Sequence, residues 1–286
     1  MKFQEPNLGM TPQEIRLEGS SGVLAARRWR MGDVPVLAFH GWLDNAGTFD
    51  RLAPYLEGLD LVCVDFPGHG LSDHRPPGAA YHFVDWVAEV FAVADDMGWE
   101  RFCLVGHSMG AAVSALAAGT FPERIINLVL IEGLGPFTSP EEDAPKLLSK
   151  ALLYRPSRGR RFYKTRDEAL RRLTSRGLLP VSAECLAQRA LEQTDEGWAF
   201  TYAPSARAPS RSRLSENQVR AFLRAITCPT LLISASDGLE PPPSFLGREE
   251  EVANLKCLAL EGGGHHLHLD YPERIWQGVL EHVLQD

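Results

Sequence analysis

A serine between two glycines, histidines after a glycine run, and two carboxylates at expected strand ends are the residues of this chain that could do chemistry. Ser108 lies in Gly106-His107-Ser108-Met109-Gly110, directly after the apolar run Phe102-Cys103-Leu104-Val105 and before a stretch rich in small residues. Read as strand, tight turn and helix, this is the setting in which Gly-x-Ser-x-Gly forms a nucleophile elbow. The glycines leave room where the turn crowds the sheet. The positive end of the following helix favours negative charge developing beside the serine.

A serine hydroxyl is a poor nucleophile until a base takes its proton. That base is expected after the last strand, in Glu261-Gly-Gly-Gly-His265-His266-Leu-His268. His265, directly after the glycines, is favoured, with His266 the alternative base and His268 read as a packing residue. The imidazole needs a carboxylate to fix its tautomer and stabilise its cation. Asp237, just past the apolar run 230–234, is the favoured acid; Glu132, which ends the run Leu128-Val-Leu-Ile, is the alternative. The developing oxyanion needs two backbone N–H donors, each worth about 2.7–4 kcal/mol. Met109 supplies one, and Trp42, after His40-Gly41, supplies the other, with Leu43 a possible substitute. His40 is read as positioning this loop.

Other polar residues have blander readings. Asp44, Asp65 and Asp73 are expected as hydrogen-bonded caps of loops. No histidine or acid cluster has convincing metal-ligand spacing, so no metal site is expected. No Gly-x-Gly-x-x-Gly fingerprint follows the first strand of a βαβ unit, which argues against a dinucleotide, and no cofactor is implied.

The elements that must position these residues follow from periodicity. The runs 14–18 and 23–30 read as a hairpin, and 34–39, 60–65, 102–105, 126–131, 230–234 and 256–260 as further strands. Helical patterns cover 48–56, 83–97, 109–120 and 272–284. Such alternation predicts a mostly parallel sheet with helices on both faces. Between them, 136–225 shows helical stretches such as 183–191 and no convincing strand. At about 90 residues it is too long for a plain loop. The expected organisation is a core of 1–135 and 226–286 with a helical cap, 136–225, inserted between strands. The stretch 202–213 reads as a flexible crossing within that cap.

Composition narrows the classes. The net charge of −8 over 286 residues argues against a nucleic-acid partner. Yet residues 146–176 carry eleven Lys and Arg against two acids, a local +9 that leaves −17 elsewhere. A basic lid over an acidic body would steer an anionic substrate, and a solvated helix face explains the same charges. Five cysteines without paired spacing read as reduced thiols. With no apolar leader and no run long enough to span a bilayer, a cytoplasmic location is expected.

The motifs HGWLDNAGTFD, DFPGHGLSDHRPPG, GHSMGAAVSALAAGTFPERI, LIEGLGP and GGGHHLHLDYPE together resemble the α/β-hydrolase superfamily and, within it, the serine hydrolase-like proteins. They cover roughly 34–137 and 228–275 and leave most of the cap uncovered. The resemblance implies the α/β-hydrolase fold, with Ser108 as nucleophile, Asp237 as acid and His265 as base. It carries over no substrate; the serine nucleophile with its base, acid and oxyanion donors is what leads to the expectation of a small acyl substrate, an ester or related bond cleaved through an acyl-enzyme. Related enzymes that open epoxides or remove halogens carry aspartate where Ser108 stands, so those chemistries are not expected. Two other readings stay open: carbon–carbon hydrolysis of a diketone, and a non-catalytic ligand-binding protein on the same fold.

Overall fold

The computed structural model describes residues 9–155 and 160–285. Residues 1–8, read above as lacking an apolar leader, and Arg158 of the basic run lie outside the described residues. The chain enters through an antiparallel pair, β1 (Gln13–Glu18) and β2 (Val23–Arg30). Next come β3 (Gly32–Phe39), β4 (Gly58–Val64), helix α1 (Asp85–Asp96), β5 (Phe102–His107), α2 (Met109–Thr120) and β6 (Ile125–Ile131). A long insertion follows, with α3 (Ala144–Leu153), β7 (Phe162–Tyr163), α4 (Arg166–Thr174), α5 (Pro180–Ala190), β8 (Leu191–Thr194) and β9 (Gly197–Phe200). The chain returns through α6 (Glu216–Arg224), β10 (Thr230–Ala235), β11 (Leu255–Leu260), the single turn α7 (Leu267–Asp270) and α8 (Trp276–Val283).

The main sheet has the order β1-β2-β4-β3-β5-β6-β10-β11. Its first two pairings are antiparallel and the rest parallel, as the alternation of strands and helices predicts. Central strands are buried on both faces and therefore read as unbroken apolar runs. Alternate residues of β3 divide between two cores: Leu37 and Phe39 pack with α1 and α2, while Val36 and Ala38 pack on the α8 side. The carboxyl ends of β3, β5, β6 and β10 converge on one edge, where an open parallel sheet collects its ligand-binding loops.

The structure departs from expectation at three places. The run 48–56 forms two short 3-10 turns, 46–49 and 53–55, because Pro54 has no N–H to extend a helix. The insertion contains a small antiparallel sheet, β7-β9-β8, beside its helices. Alternation was not legible there because the strands are two to four residues long. Finally, α6 packs on α2, with Val219 and Leu223 in the same core as Leu104. Residues 216–224 thus pack as part of the core layer, although they fall inside the expected interval 136–225.

Candidate active site

Ser108 sits between β5 and α2 with φ 53° and ψ −110°, a conformation that a residue with a Cβ adopts only under constraint. The constraint is visible. Ser108 N donates to Ile131 O at 2.8 Å, tying the turn to β6. A Cβ added at Gly106 would lie 2.5 Å from Ala111 Cα, and one at Gly110 would lie 2.1 Å from Phe39 O. Both flanking glycines are needed because two backbones cross there without room for a side chain.

His265 Nε2 lies 2.9 Å from Ser108 Oγ, and His265 Nδ1 lies 3.1 Å from Glu132 Oε2. A carboxylate only accepts, so Nδ1 carries the proton and Nε2 offers its lone pair to the serine hydroxyl. Glu132 extends from the end of β6 and is buried. Its Oε1 accepts from Ala235 N at 2.7 Å, and its Oε2 accepts from Leu239 N at 2.7 Å. Gly238 makes this approach possible, since a Cβ there would lie 2.2 Å from Glu132 Oε2.

The structure therefore corrects the expected acid. Asp237 does not meet His265: it is exposed, and its Oδ1 accepts from the neighbouring Ser236 hydroxyl at 3.0 Å. The reason is local. Backbone N–H groups of 235 and 239 fold around the Glu132 carboxylate, and the turn between them leaves Asp237 on the outside. The sequence signal for Glu132 was a charged residue closing a buried apolar strand just before Gly133. An aspartate at a later strand end carries the stronger local signal, because it stands between the serine and the histidine in chain order.

His266, the alternative base, meets a different partner: its Nε2 lies 3.0 Å from Asp44 Oδ2. Burial alone would lower its pKa, but the Asp44 carboxylate outweighs burial and raises it. Burial likewise opposes ionisation of Asp44, yet the neighbouring histidines, His266 first, hold its carboxyl below the usual range. His268 is buried, with Nε2 2.9 Å from Thr48 Oγ1, and burial holds its pKa well below the ordinary value. His40 Nδ1–H donates to Gly41 O at 2.7 Å, while Nε2 accepts from Phe66 N at 3.0 Å. This imidazole braces the loop before Trp42, and its burial lowers its pKa.

Met109 opens α2 immediately after Ser108, and Trp42 follows Gly41 in the loop beyond β3. Among the described residues, neither backbone N–H makes a hydrogen bond within the protein. The loop lies against the elbow: a Cβ at Gly41 would meet His107 Nδ1 at 2.9 Å. The Trp42 ring reaches outward, and its Nε1–H donates to Ala206 O of the insertion at 3.1 Å. The insertion is also held by Asn45 Nδ2 donating to Leu186 O at 3.0 Å and by Ala203 N donating to Gly68 O at 2.8 Å. It packs through Leu186 and Phe200 against Leu269, next to the histidine cluster.

Residues 34–272 match the α/β hydrolase fold family. The chain is 31% identical over 300 residues to a serine hydrolase-like protein of Danio rerio, covering 99% of this chain and 91% of that one. A crystal structure of a hypothetical protein from Pseudomonas aeruginosa PAO1 superposes with a TM-score of 0.88 at 37% identity, over 96% of this chain and 100% of the other. A thioesterase domain from the curacin biosynthetic pathway superposes with a TM-score of 0.83 at 25% identity, over 95% of this chain and 99% of that domain.

Proposed function

The chain belongs to the α/β hydrolase fold family, and from that premise we propose that it hydrolyses a carboxylic ester or related acyl bond through an acyl-enzyme on Ser108. One observation carries the reading: the His265 imidazole bridges the Ser108 hydroxyl and the buried Glu132 carboxylate at 2.9 and 3.1 Å. The proposed triad is thus Ser108, His265 and Glu132.

In this reading Ser108 Oγ attacks the substrate carbonyl carbon while its proton passes to His265 Nε2. Glu132, held by two backbone N–H groups, keeps the ring oriented and stabilises the imidazolium. The oxyanion accepts from the N–H groups of Met109 and Trp42. The leaving group then departs with the proton from His265 Nε2. Water repeats the sequence on the acyl-enzyme, giving its proton to His265 and releasing the acid. The insertion, bonded to Trp42 and Asn45, serves as a cap that limits the acyl pocket. The resemblance to a thioesterase domain supports an acyl carbonyl as the reacting group.

Ser108→Ala should reduce turnover of short p-nitrophenyl esters by about 10⁶-fold, to near background, with far-UV circular dichroism unchanged. Esterase activity retained in that variant would contradict the assignment. Turnover of a diketone, with none of any ester, would transfer the same triad to carbon–carbon cleavage.

A further inference from the structure

Beside the triad, and not used by it, lies a second group of polar side chains. Asp44, His107 and His266 each offer one ligand atom, and these atoms all fall within 4.8 Å of one another. His266 Nε2 is 3.0 Å and His107 Nδ1 is 3.7 Å from the same Asp44 Oδ2. The side chains are 8%, 1% and 16% exposed for Asp44, His107 and His266, so the site is buried with one ligand at its mouth.

His107 is the informative member. Its Nε2 lies 2.9 Å from His265 O, and a carbonyl oxygen only accepts, so Nε2 carries the ring proton. Nδ1 is then a bare lone pair. It is buried, has no hydrogen-bond partner, and faces a carboxylate oxygen. Two acceptors opposed in a desolvated site are unfavourable unless something positive lies between them. Gly41 leaves the space beside them clear: a Cβ there would lie 2.9 Å from His107 Nδ1 and 3.0 Å from Asp44 Oδ2.

We propose that Asp44 Oδ2, His107 Nδ1 and His266 Nε2 form a binding site for a divalent transition-metal ion of the zinc or cobalt type. Two imidazoles and one carboxylate are the donor set such ions take, whereas calcium and magnesium prefer all-oxygen sites. Ligands about 2.0–2.2 Å from a common ion stand roughly 3–4 Å apart, the range in which the 3.0 and 3.7 Å separations of the two imidazole nitrogens from Asp44 Oδ2 fall. The hydrogen bond from His107 Nε2–H to His265 O is the support that a metal-bound histidine usually has, since it fixes the other nitrogen as ligand. A fourth position would open past His266, the least buried of the three. The ion would join the loop carrying Trp42, the residue before Ser108 and the residue after His265.

The test is titration of metal-free protein with Co²⁺, followed by visible d–d absorption, with Zn²⁺ displacing the signal. Wild type should take up one equivalent. Asp44→Asn and His266→Gln should each weaken uptake by at least about 10- to 100-fold. His74→Gln, which changes an exposed histidine, should not weaken it. Ser108→Ala should bind like wild type, so that failure of the metal site and failure of the reaction assignment are separate results. Cu²⁺ bound to unaltered protein should show electron-paramagnetic hyperfine coupling to two nitrogens, which tests the ligand set even if a variant does not fold. No uptake by wild type, uptake unchanged in both ligand variants, or absence of the two-nitrogen signal would overturn the proposal. A water donating to both acceptors would then account for the cluster.

Discussion

Leu43, Ser108 and Glu132 are the non-glycine residues with positive φ among those described, at 64°, 53° and 56°, and all three belong to the candidate site. Such conformations cost of order 1–3 kcal/mol each and persist only where surroundings over-determine them. Ser108 is fixed by Ile131 O, and Glu132 N donates to Ile233 O at 2.8 Å on the neighbouring strand. Leu43 is buried beside Asp44, whose N–H bonds Gly41 O at 3.1 Å. The choice between Glu132 and Asp237 follows from the same local chemistry. An exposed aspartate held by its neighbour's hydroxyl has little reason to orient an imidazole. A buried glutamate accepting two backbone N–H groups has its charge already stabilised and its direction already set. Replacing Glu132 therefore belongs among the severe substitutions, and replacing Asp237 among the mild ones.

At the scale of elements, α5 fixes the insertion to the core through one buried arginine. Arg189 is 1% exposed, and its guanidinium lies 2.6 Å from Asp65 Oδ2 and 2.6 Å from Glu14 Oε1. Asp65, just after β4, is itself fully buried and also accepts from Ala46 N at 2.6 Å and Leu71 N at 2.9 Å. Arg189→Ala would leave the buried Asp65 carboxylate with its two backbone N–H donors but without its counter-ion, and breaking a buried pair in this way typically costs about 3–5 kcal/mol. Urea denaturation should show a loss of that size, whereas less than about 1 kcal/mol would mean that the pair does not anchor the insertion. How much was legible in the sequence divides along the same line. The strands 34–39, 102–105 and 126–131 were readable because burial on both faces writes a continuous apolar run. The turns that carry Ser108 and His265 were readable because glycines mark them. The small sheet in the insertion is too short to alternate visibly. The Asp65–Arg189 pair and the Glu132 contact depend on residues 124 and 133 positions apart, which no local pattern encodes.

At the scale of the whole molecule, buried neutral histidines set the response to acid. Burial lowers His40, holds His69 down at about 3, and keeps His107 and His268 well below the ordinary value. The unfolded chain binds protons that these folded sites refuse. Their contribution to stability is therefore full above pH about 6.5 and is lost as pH falls below it. Each costs about 1.4 kcal/mol per pH unit in that window. His266, raised by Asp44, acts in the opposite sense: its contribution is present below about pH 6.5 and lost as pH rises through its folded value. Burial lowers His282 in the same sense as the four, whereas Asp50, pushed up by burial to about 6, sides with His266, its contribution being lost as pH rises through that value. With five groups against two, the urea midpoint of the metal-free protein should fall from pH 7 to pH 5. A midpoint constant over that range would show that the histidines titrate freely in the fold.

The sheet brings together three residues far apart in the chain, and in the proposed reaction Glu132, not Asp237, completes their chemistry. That role is tested most directly by the rate at which a fluorophosphonate labels Ser108, read by mass spectrometry of the modified peptide. Wild type should label on Ser108, Glu132→Gln about 10³- to 10⁴-fold more slowly, and Asp237→Asn within a few-fold of wild type. Labelling on another residue, or a large loss in Asp237→Asn with none in Glu132→Gln, would contradict it.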